Sequence, residues 1–180
     1  LTTQLVELGI PVVVAVNMMD LVQKNGDRID LARLGEKLGC TVVEMSAMKG
    51  EGCRQAAEAA IAAAGTAAEP LHVFTGSVEH ALAHIEESIE GRVKPNYLRW
   101  YAIKLFERDE MVQKELGLPK EVMAHLEKHI ADWGLELEDD AESISADQRD
   151  TYIVSVIRKA VQKKAPKHAL SLSDKIDRIV

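Results

Sequence analysis

The stretch IPVVVAVNMMD, Ile10–Asp20, decides the fold. Its first part is a run of apolar, mostly β-branched residues, which is typical of a strand buried in a parallel sheet. Its last part, Asn17–Asp20, begins and ends with a polar side chain and follows directly on the strand. Open α/β sheets bind their ligands at the carboxyl ends of their strands. The stretch therefore predicts a buried parallel strand that delivers a ligand-binding loop.

The polar side chains of this loop suit purine recognition. A carboxylate in the plane of a guanine base accepts hydrogen bonds from N1–H and from the exocyclic amine, a donor pair that adenine does not present. Asp20 is the residue expected to do this. Asn17 carries donors and an acceptor, so it can contact the base and also join neighbouring loops. The alternative is an ordinary turn, because Asn and Asp both favour strand ends.

A second unit of strand and loop follows in the sequence. After a helical segment from about Leu31 to Leu38, the short strand Thr41–Met45 leads into Ser46–Gly50, SAMKG. The order of strand, Asn-x-x-Asp, helix, strand, Ser-Ala-x-x-Gly and helix resembles the last third of a small GTPase domain. Two linked motifs in this order favour guanine recognition over a simple turn.

The GTPase resemblance implies roles for individual residues. The second loop would close over the guanine, with Ser46 and Met48 shaping it and the Ala47 N–H donating to O6. GTPases usually carry Lys at the second position of the first motif, where this chain has Met18. A Met thioether can cover an aromatic face much as a Lys stem does, but it brings no charge. Met19 is expected to face inward as part of the core.

The Asn-Met-x-Asp variant and its surroundings are similar to the cytosolic GTPase region of the ferrous iron transport protein B (FeoB) family. The similar stretches are Leu1–Pro11, Leu38–Cys40, Trp100–Leu105, Leu137–Ala141 and Ser171–Ile179. The resemblance spans essentially the whole chain. It implies an α/β fold followed by an all-α part: the C-terminal portion of a P-loop GTPase (Ras-like) parallel-sheet domain, then a small helical bundle.

The resemblance implies GTP and GDP as ligands, yet the sequence has no phosphate-binding motif. It contains no Gly-x-x-x-x-Gly-Lys-[Ser/Thr] loop and no Asp-x-x-Gly segment, and Gly35–Gly39 lacks both the spacing and the terminal Lys. We therefore expect no catalytic residue and no GTP hydrolysis from this chain alone. Mg²⁺ would bind only through upstream residues. Leu1, Leu5 and Leu8 recur at helical spacing without a preceding cap, so the chain is expected to start inside a helix.

Composition excludes several classes of protein. With 180 residues, 47% hydrophobic and 28% charged, the chain is expected to be globular, with one good core or two modest ones. A net charge of −7 gives no support for nucleic-acid binding. No apolar stretch approaches the roughly 20 residues of a membrane span, and no signal peptide is evident. Cys40 and Cys53 are interpreted as packing residues in a reducing cytosol.

A domain boundary is predicted near Gly65–Pro70, after an Ala-rich helix from about Cys53 to Ala64. Gly ends that helix and Pro70 hinders its continuation. The GTPase part would then be residues 1–69 and the helical domain residues 70–180. Apolar spacing and caps predict four helices there: one with Val78, Leu82, Ile85 and Ile89, one with Leu98, Tyr101, Ile103 and Leu105, one opened by Pro119 with Val122, Leu126 and Ile130, and one from about Ala141 to Lys164.

Two pairs of histidines have helical spacing. His80 and His84 are one turn apart, as are His125 and His129, and such a spacing can place two imidazoles on one metal ion. Neither pair has a carboxylate or thiolate arranged to complete a site, although Glu87 lies one turn beyond His84. Exposed helix histidines are the simpler interpretation, so no metal site is predicted.

The carboxyl end is basic. Between Arg158 and Val180 the sequence has seven Lys or Arg side chains and two acidic ones. A solvated helix end with a favourable dipole would account for this pattern. A juxtamembrane segment, held by the positive-inside bias and by anionic lipid, would account for it equally well. The FeoB resemblance implies that a membrane iron permease follows, with this chain at the cytoplasmic face of the inner membrane.

The first functional hypothesis is the guanine-recognition part of a ferrous iron transporter, in which GTP binding and hydrolysis regulate iron uptake. The family resemblance implies that the helical domain favours retention of GDP and relays the nucleotide state to the permease. Two alternatives stay open: a helical interaction module fused to a degenerate α/β remnant that binds no nucleotide, and a soluble GTPase of another family. The expected partners include the upstream half of the GTPase domain. A truncated sheet also exposes a strand edge, so a second copy of the chain is expected to compete for this edge by forming a homo-oligomer or a domain swap.

Overall fold

The computed structural model describes residues 1–137 and 140–164, with the backbone alone at 132–137. An α/β part comes first and a helical part follows, as the sequence predicts. The helices are α1 (Thr2–Glu7), α2 (Met19–Asn25), α3 (Leu31–Leu38), α4 (Cys53–Ala63), α5 (Ser77–Ile89), α6 (Leu98–Phe106), α7 (Glu110–Leu116), α8 (Lys120–Leu137) and α9 (Ala141–Ala160). The strands are β1 (Val13–Val16), β2 (Arg28–Ile29), β3 (Thr41–Glu44) and β4 (Val161–Gln162). Short 3-10 helices cover Ala47–Lys49 and Pro95–Tyr97.

Strands β1 and β3 form the parallel pair that the sequence predicts. Val13 lies opposite Thr41 and Val16 lies opposite Glu44, so the two strands end side by side. The prediction of a fully buried strand is wrong, because β1 is half-buried and Ala15 is exposed. Among the described residues β1 pairs on one side only, which leaves part of its surface uncovered. The shared register nevertheless brings the two loops together.

A short antiparallel pair joins the two parts of the chain. β2 pairs with β4, with Arg28 opposite Gln162 and Ile29 opposite Val161. The predicted helix from Ala141 to Lys164 therefore ends at Ala160, and the backbone turns to an extended conformation at Val161. The helical part thus contributes the two-residue strand β4 to this pair. Its strands come from residues more than a hundred positions apart.

Helix α1 forms as predicted, but with a different buried face. Leu1 and Leu5 are exposed, whereas Thr3, Val6 and Glu7 are buried. Glu7 is turned inward because its carboxylate receives Arg149 of α9, with Oε2 2.9 Å from Nη2. An ion pair across the two parts of the chain thus fixes the orientation of a helix whose Leu spacing indicated another face.

The main apolar core lies in the helical part, where helices α5, α6 and α8 bury most of the positions that the sequence predicts; Leu98, Tyr101 and Val122 are half-buried against this core. Asp109, which accepts from the N–H groups of Met111 and Val112, caps α7, a helix that the sequence pattern does not show. The buried core residues are Val73, Phe74, Val78, Ala81, Leu82, Ile85, Ile89, Ala102, Ile103, Leu105, Phe106, Val112, Leu118, Leu126, Ile130, Ala141 and Ile144. The helical part therefore has a core of its own.

Helix α9 fastens the helical part to the α/β part. The Tyr152 hydroxyl donates to the Lys37 carbonyl at the end of α3. Arg33 Nη1 donates to the Lys159 carbonyl at 3.2 Å, and the Asp30 N–H donates to the Ala160 carbonyl at 2.7 Å. These contacts run along one side of α3, so the two parts meet over a defined surface.

Cys40 is half-buried, but Cys53 is exposed at the start of α4, so the packing interpretation is wrong for Cys53. Among the residues described, none of the helices combines the length and the apolar character needed to cross a bilayer. The similarity stretch Ser171–Ile179 and the basic residues from Lys167 onward lie outside the described residues. Part of Leu137–Ala141 does so as well.

Candidate functional site

Backbone hydrogen bonds hold the two predicted loops together at the ends of β1 and β3. The Met45 N–H donates to the Val16 carbonyl at 2.9 Å, and the Met19 N–H donates to the Met45 carbonyl at 3.2 Å. The first bond extends the parallel ladder, while the second ties the start of α2 to the end of the neighbouring strand. The side chains that follow each strand are therefore presented at one edge of the sheet.

A side-chain hydrogen bond joins the two motifs at Asp20. Ser46 Oγ donates to Asp20 Oδ1 at 2.9 Å, and Lys49 Nζ lies 3.6 Å from Oδ2. The Ser46 hydroxyl lowers the pKa of Asp20 below its usual value. Lys49 and the N–H groups at the start of α2 lower this pKa further, whereas burial of the carboxylate raises it. The Asp20 side chain, 11% exposed, is thus held as a carboxylate in one orientation.

Asn17 joins the loops in a second place, as its mixed donors and acceptor predict. Its Oδ1 accepts from the Met18 N–H at 2.8 Å and from the Ala47 N–H at 3.0 Å. The Ala47 N–H is the group that the GTPase resemblance assigns to guanine O6. In this structure it donates to Asn17 instead, so a base would have to share or displace that hydrogen bond.

Two methionines lie exposed beside these polar groups. Met18 is 60% exposed and Met48 is 87% exposed, whereas Met19 is buried as predicted. Met18 has a φ of 63°, in the left-handed region that non-glycine residues rarely adopt. Strained backbone of this kind collects at binding sites, where it orients a side chain that would otherwise point elsewhere. The site thus pairs a fixed carboxylate with two exposed apolar side chains.

The second loop is closed by a short bridge and a glycine. Ser46 and Glu51 exchange backbone hydrogen bonds of 2.9 and 3.2 Å. Gly52 follows with a φ of +76°, and a Cβ there would lie 2.2 Å from the Glu44 carbonyl oxygen, so a larger residue would push the loop away from β3. The roles of Lys49 and Gly52 were missed from the sequence. The Gly-x-Gly spacing in SAMKGEG is the signal that could have indicated the tight closure.

A cavity of about 440 Å³ adjoins the site. Asp20 and Ser46 line it, together with residues of β3 and of the starts of α2, α3 and α4. Asn17, Met18, Ala47 and Met48 do not line it. We therefore do not place the base there, because Asn17, Ala47 and the two exposed methionines lie outside the lining of the cavity.

His80, His84 and His125 are exposed on α5 and α8, as the simpler interpretation of their spacing predicts, whereas His129 is half-buried. Within residues 1–137 and 140–164, no three His, Cys, Asp or Glu side chains are already arranged to hold a metal ion. The two sequence pairs are, however, not separate. The rings of His84 and His129 face each other across the two helices.

Two family models match this chain in succession. The model for ferrous iron transport protein B matches residues 1–60, and the model for the FeoB cytosolic helical domain matches residues 74–162. The chain belongs to the FeoB family. The order of the two FeoB models follows the order of the α/β and helical parts, which confirms the resemblance read from the sequence.

Curated FeoB relatives align with all or part of this chain. A Porphyromonas gingivalis protein named Fe(2+) transport protein A/Fe(2+) transporter FeoB fusion protein is 32% identical to this chain over 192 residues. A Salmonella typhimurium Fe(2+) transporter FeoB is 50% identical over 52 residues, which are 29% of this chain and 7% of that relative. The first alignment covers 100% of this chain and 23% of the relative. The chain therefore spans about a quarter of the length of that FeoB relative.

Solved FeoB structures share the fold. A variant of S. thermophilus NFeoB bound to GDP superimposes with a TM-score of 0.85 at 34% identity, covering 90% of this chain and 63% of that one. An S. thermophilus NFeoB bound to mGMPPNP gives 0.79 at 34% identity, covering 93% and 63%. The α/β part is thus part of a FeoB G domain, a P-loop GTPase fold, and the helical part is the FeoB helical domain.

Proposed function

We propose that this chain supplies guanine recognition to a FeoB-type GTPase that regulates ferrous iron uptake. The observation that carries the proposal is the pair of hydrogen bonds between the motifs, Ser46 to Asp20 and Ala47 to Asn17. They hold a carboxylate and a carboxamide at one edge of the sheet, where a base can meet both. A degenerate remnant without a ligand would have no evident use for this arrangement.

The Asp20 carboxylate retains capacity for a guanine base. Its two oxygens offer about four acceptor sites, and Ser46 Oγ occupies one of them. The N1–H and exocyclic amine of guanine would take two more, with Lys49 compensating the charge from the side. Met18 and Met48 would cover the two faces of the ring with apolar, polarizable side chains. The carboxylate acceptors therefore fit the two neighbouring donors of guanine, which adenine does not present.

We propose that the phosphates are held by residues outside these 180. GTP or GDP would be anchored here by its base, while Mg²⁺ and the γ-phosphate would be bound elsewhere in the protein. This division accords with the solved FeoB chains, of which this chain covers 63%. The boundary between the two domains would fall between residues 69 and 70. This chain alone would bind the base without hydrolysing GTP.

We propose that the helical domain passes the nucleotide state toward a membrane permease. α2 begins in the guanine loop and leads through Gly26 into β2, which pairs with β4 after α9. Movement of the loop that follows β1 would thus displace β2 and, through the strand pairing, β4 at the end of the described chain. We further propose that the permease follows this domain, at the cytoplasmic face of the inner membrane, and that the basic carboxyl end lies near anionic lipid.

The alternative of an interaction module makes a different prediction for the α/β part. There the open edge of β1 would recruit a second copy by strand pairing, giving a homo-oligomer or a domain swap. Size-exclusion chromatography with light scattering, in the presence and absence of GDP, measures the oligomeric state and distinguishes the interaction module from the guanine-binding domain. The guanine hypothesis requires GDP binding in any oligomeric state.

Selectivity between bases tests the proposal. Fluorescent GDP is titrated into the full-length protein and then displaced by unlabelled GDP or ADP. We expect GDP to displace the probe at concentrations at least about a hundredfold lower than ADP, since a buried polar site rejects a base that leaves its groups unpaired. Equal displacement by the two nucleotides would overturn the proposal.

A further inference from the structure

A separate cavity of about 430 Å³ lies in the helical domain, between the loop that joins α5 to α6 and the helices α6 and α7. Tyr97, Tyr101, Val93 and Leu116 line it, and all four side chains are half-buried. Sites for small molecules are typically clefts of about 300–1,000 Å³, walled by aromatic and aliphatic side chains with a few polar groups. The cavity therefore has the size and the walls to hold a small organic molecule.

Two cationic side chains line the same cavity. Arg92 and Lys94 stand two positions apart in the loop, and both are exposed. Among the residues that the structure describes, neither forms an ion pair or a side-chain hydrogen bond. By contrast, Arg99, Arg108 and Arg149 in the same domain each bind at least one carboxylate. Both cations at the cavity are therefore available to an anion.

The backbone holds this loop in a defined shape. The Arg92 N–H donates to the carbonyl of the last residue of α5 at 3.0 Å, and the Tyr97 N–H donates to the Lys94 carbonyl at 2.9 Å. The loop also packs closely on the end of α1, where a Cβ at Gly9 would lie 2.6 Å from the Asn96 carbonyl oxygen. The two cations are thus carried by an ordered turn, so little backbone freedom would be lost when a ligand binds.

The acidic side chain at this cavity already has a partner. The Tyr101 hydroxyl donates to Glu115 Oε1 at 2.8 Å. This hydrogen bond, together with burial, raises the pKa of Tyr101 above its usual value, so the ring is a neutral phenol at neutral pH. The hydrogen bond also holds the Tyr101 ring in one orientation. Glu115 therefore shapes one wall of the cavity.

We propose that this cavity binds a small organic phosphate, with Arg92 and Lys94 binding the phosphate group and Tyr97 and Tyr101 contacting a flat apolar body. A phosphate monoester carries about 1.5 to 2 negative charges near neutral pH, which suits two cations. Arg binds phosphate oxygens through its planar fork, and Lys binds them as a point charge. The site goes beyond guanine recognition and does not depend on it, because all its lining residues belong to the helical domain.

Fluorine NMR of the 180-residue chain labelled with 3-fluorotyrosine tests the proposal. The chain has three tyrosines, of which Tyr97 and Tyr101 line the cavity, whereas Tyr152 contacts the Lys37 carbonyl. Single Tyr→Phe substitutions assign the three signals, and phenyl phosphate is then titrated at neutral pH. We expect the signals of Tyr97 and Tyr101 to shift together and to saturate. The Tyr152 signal is the internal control and should not move.

Charge variants test how the phosphate is recognised. Arg92→Gln and Lys94→Gln should each weaken binding of phenyl phosphate by roughly tenfold, because each removes one of the two charge-assisted contacts. Arg92→Lys keeps the charge and should bind more tightly than Arg92→Gln. Lys128→Gln is the matched control, because Lys128 is an exposed cation on α8 outside the cavity, and it should leave the affinity unchanged.

The two halves of the probe test the two halves of the site. Inorganic phosphate and phenol should each bind at least about tenfold more weakly than phenyl phosphate, because each makes only part of the contacts. Circular dichroism establishes that the variants, which change exposed side chains, are folded.

Three results would overturn the site. The first is the absence of any shift of Tyr97 and Tyr101 up to about 10 mM phenyl phosphate, a concentration at which even a weak small-molecule site is occupied. The second is equal affinity in Arg92→Gln, Lys94→Gln and the Lys128→Gln control, which would show that the cations do not bind the phosphate. The third is binding of inorganic phosphate as tight as that of phenyl phosphate, which would exclude a contribution from the tyrosine walls.

Discussion

Ser46 Oγ donates a 2.9 Å hydrogen bond to Asp20 Oδ1, across two loops that are 26 positions apart in the sequence. Ser46 is almost completely buried, so its hydroxyl has little competition from water. The bond orients the carboxylate and favours its charged form. Guanine recognition by Asp20 should accordingly depend on a residue that need not touch the base.

Replacing Ser46 tests this dependence. In Ser46→Ala the carboxylate loses a hydrogen bond worth about 1 kcal/mol, which corresponds to roughly a fivefold weaker affinity for GDP. Fluorescent GDP titration of the full-length protein measures the change. Ser88→Ala, which removes a hydroxyl bonded to the His84 carbonyl in α5, is the control and should leave the affinity unchanged. Equal affinities in both variants and wild type would contradict the role of Ser46.

The pH dependence follows from the lowered pKa of Asp20. Because the pKa in the folded protein lies below the usual value of 3.8, the charged form persists from neutral pH downward and is lost only as pH falls through that lowered value. GDP affinity should therefore not change between about pH 8 and pH 5 through this group. Carboxyl ¹³C NMR should show a higher pKa for Asp20 in Ser46→Ala. An Asp20 that titrates near neutral pH in wild type would contradict the assignment.

Met18 should contribute through its contact with the base. A sulfur–aromatic contact is worth about 1 kcal/mol, so Met18→Ala should weaken GDP binding by roughly fivefold. Met18→Lys, which keeps a long aliphatic stem, should bind at least as well as wild type. Met111→Ala is the matched control, because Met111 is also an exposed Met and lies on α7 in the helical domain. A loss no larger than in that control would show that Met18 does not cover the base.

The ion pair between the two domains should make a large contribution to the free energy of unfolding. Arg149 contacts Glu7 Oε2 at 2.9 Å and Glu107 Oε1 at 2.7 Å, and Glu7 is only 2% exposed. Arg149→Met leaves that carboxylate buried without its partner, which should cost about 3 kcal/mol in the free energy of unfolding. Urea denaturation, monitored by circular dichroism, measures this loss in the free energy of unfolding. The exposed pair of Arg54 with Glu58 is the control: Arg54→Met should change stability by less than about 0.5 kcal/mol.

Local patterns in the sequence were sufficient for much of the fold and of the site. β3, α3, α4 and α5 lie close to where the periodicity predicts them, because each depends on its own residues and caps. The loop-joining role of Asn17 also follows from its chemistry and from the parallel strands. The proximity of Asp20 and Ser46 required only that two motifs follow neighbouring strands.

Contacts between distant segments could not be predicted in this way. β2 and β4 have two residues each and pair across more than a hundred positions. The inward turn of Glu7 depends on Arg149, and the meeting of His84 with His129 depends on how α5 packs on α8. None of these has a local signal. Each arises from tertiary packing, which overrides the spacing of Leu1 and Leu5 in α1.

The exchange of guanine for xanthine tests the central claim most directly. Fluorescent GDP and XDP are titrated into the full-length protein, into Asp20→Asn and into Asp150→Asn, an exposed control on α9. Losing the paired acceptor should weaken GDP binding by about 2–4 kcal/mol, while the new amide donor should favour XDP, whose O2 is an acceptor. We predict that only Asp20→Asn reverses the preference from GDP to XDP. Unchanged preference for GDP in Asp20→Asn would contradict guanine recognition by this chain.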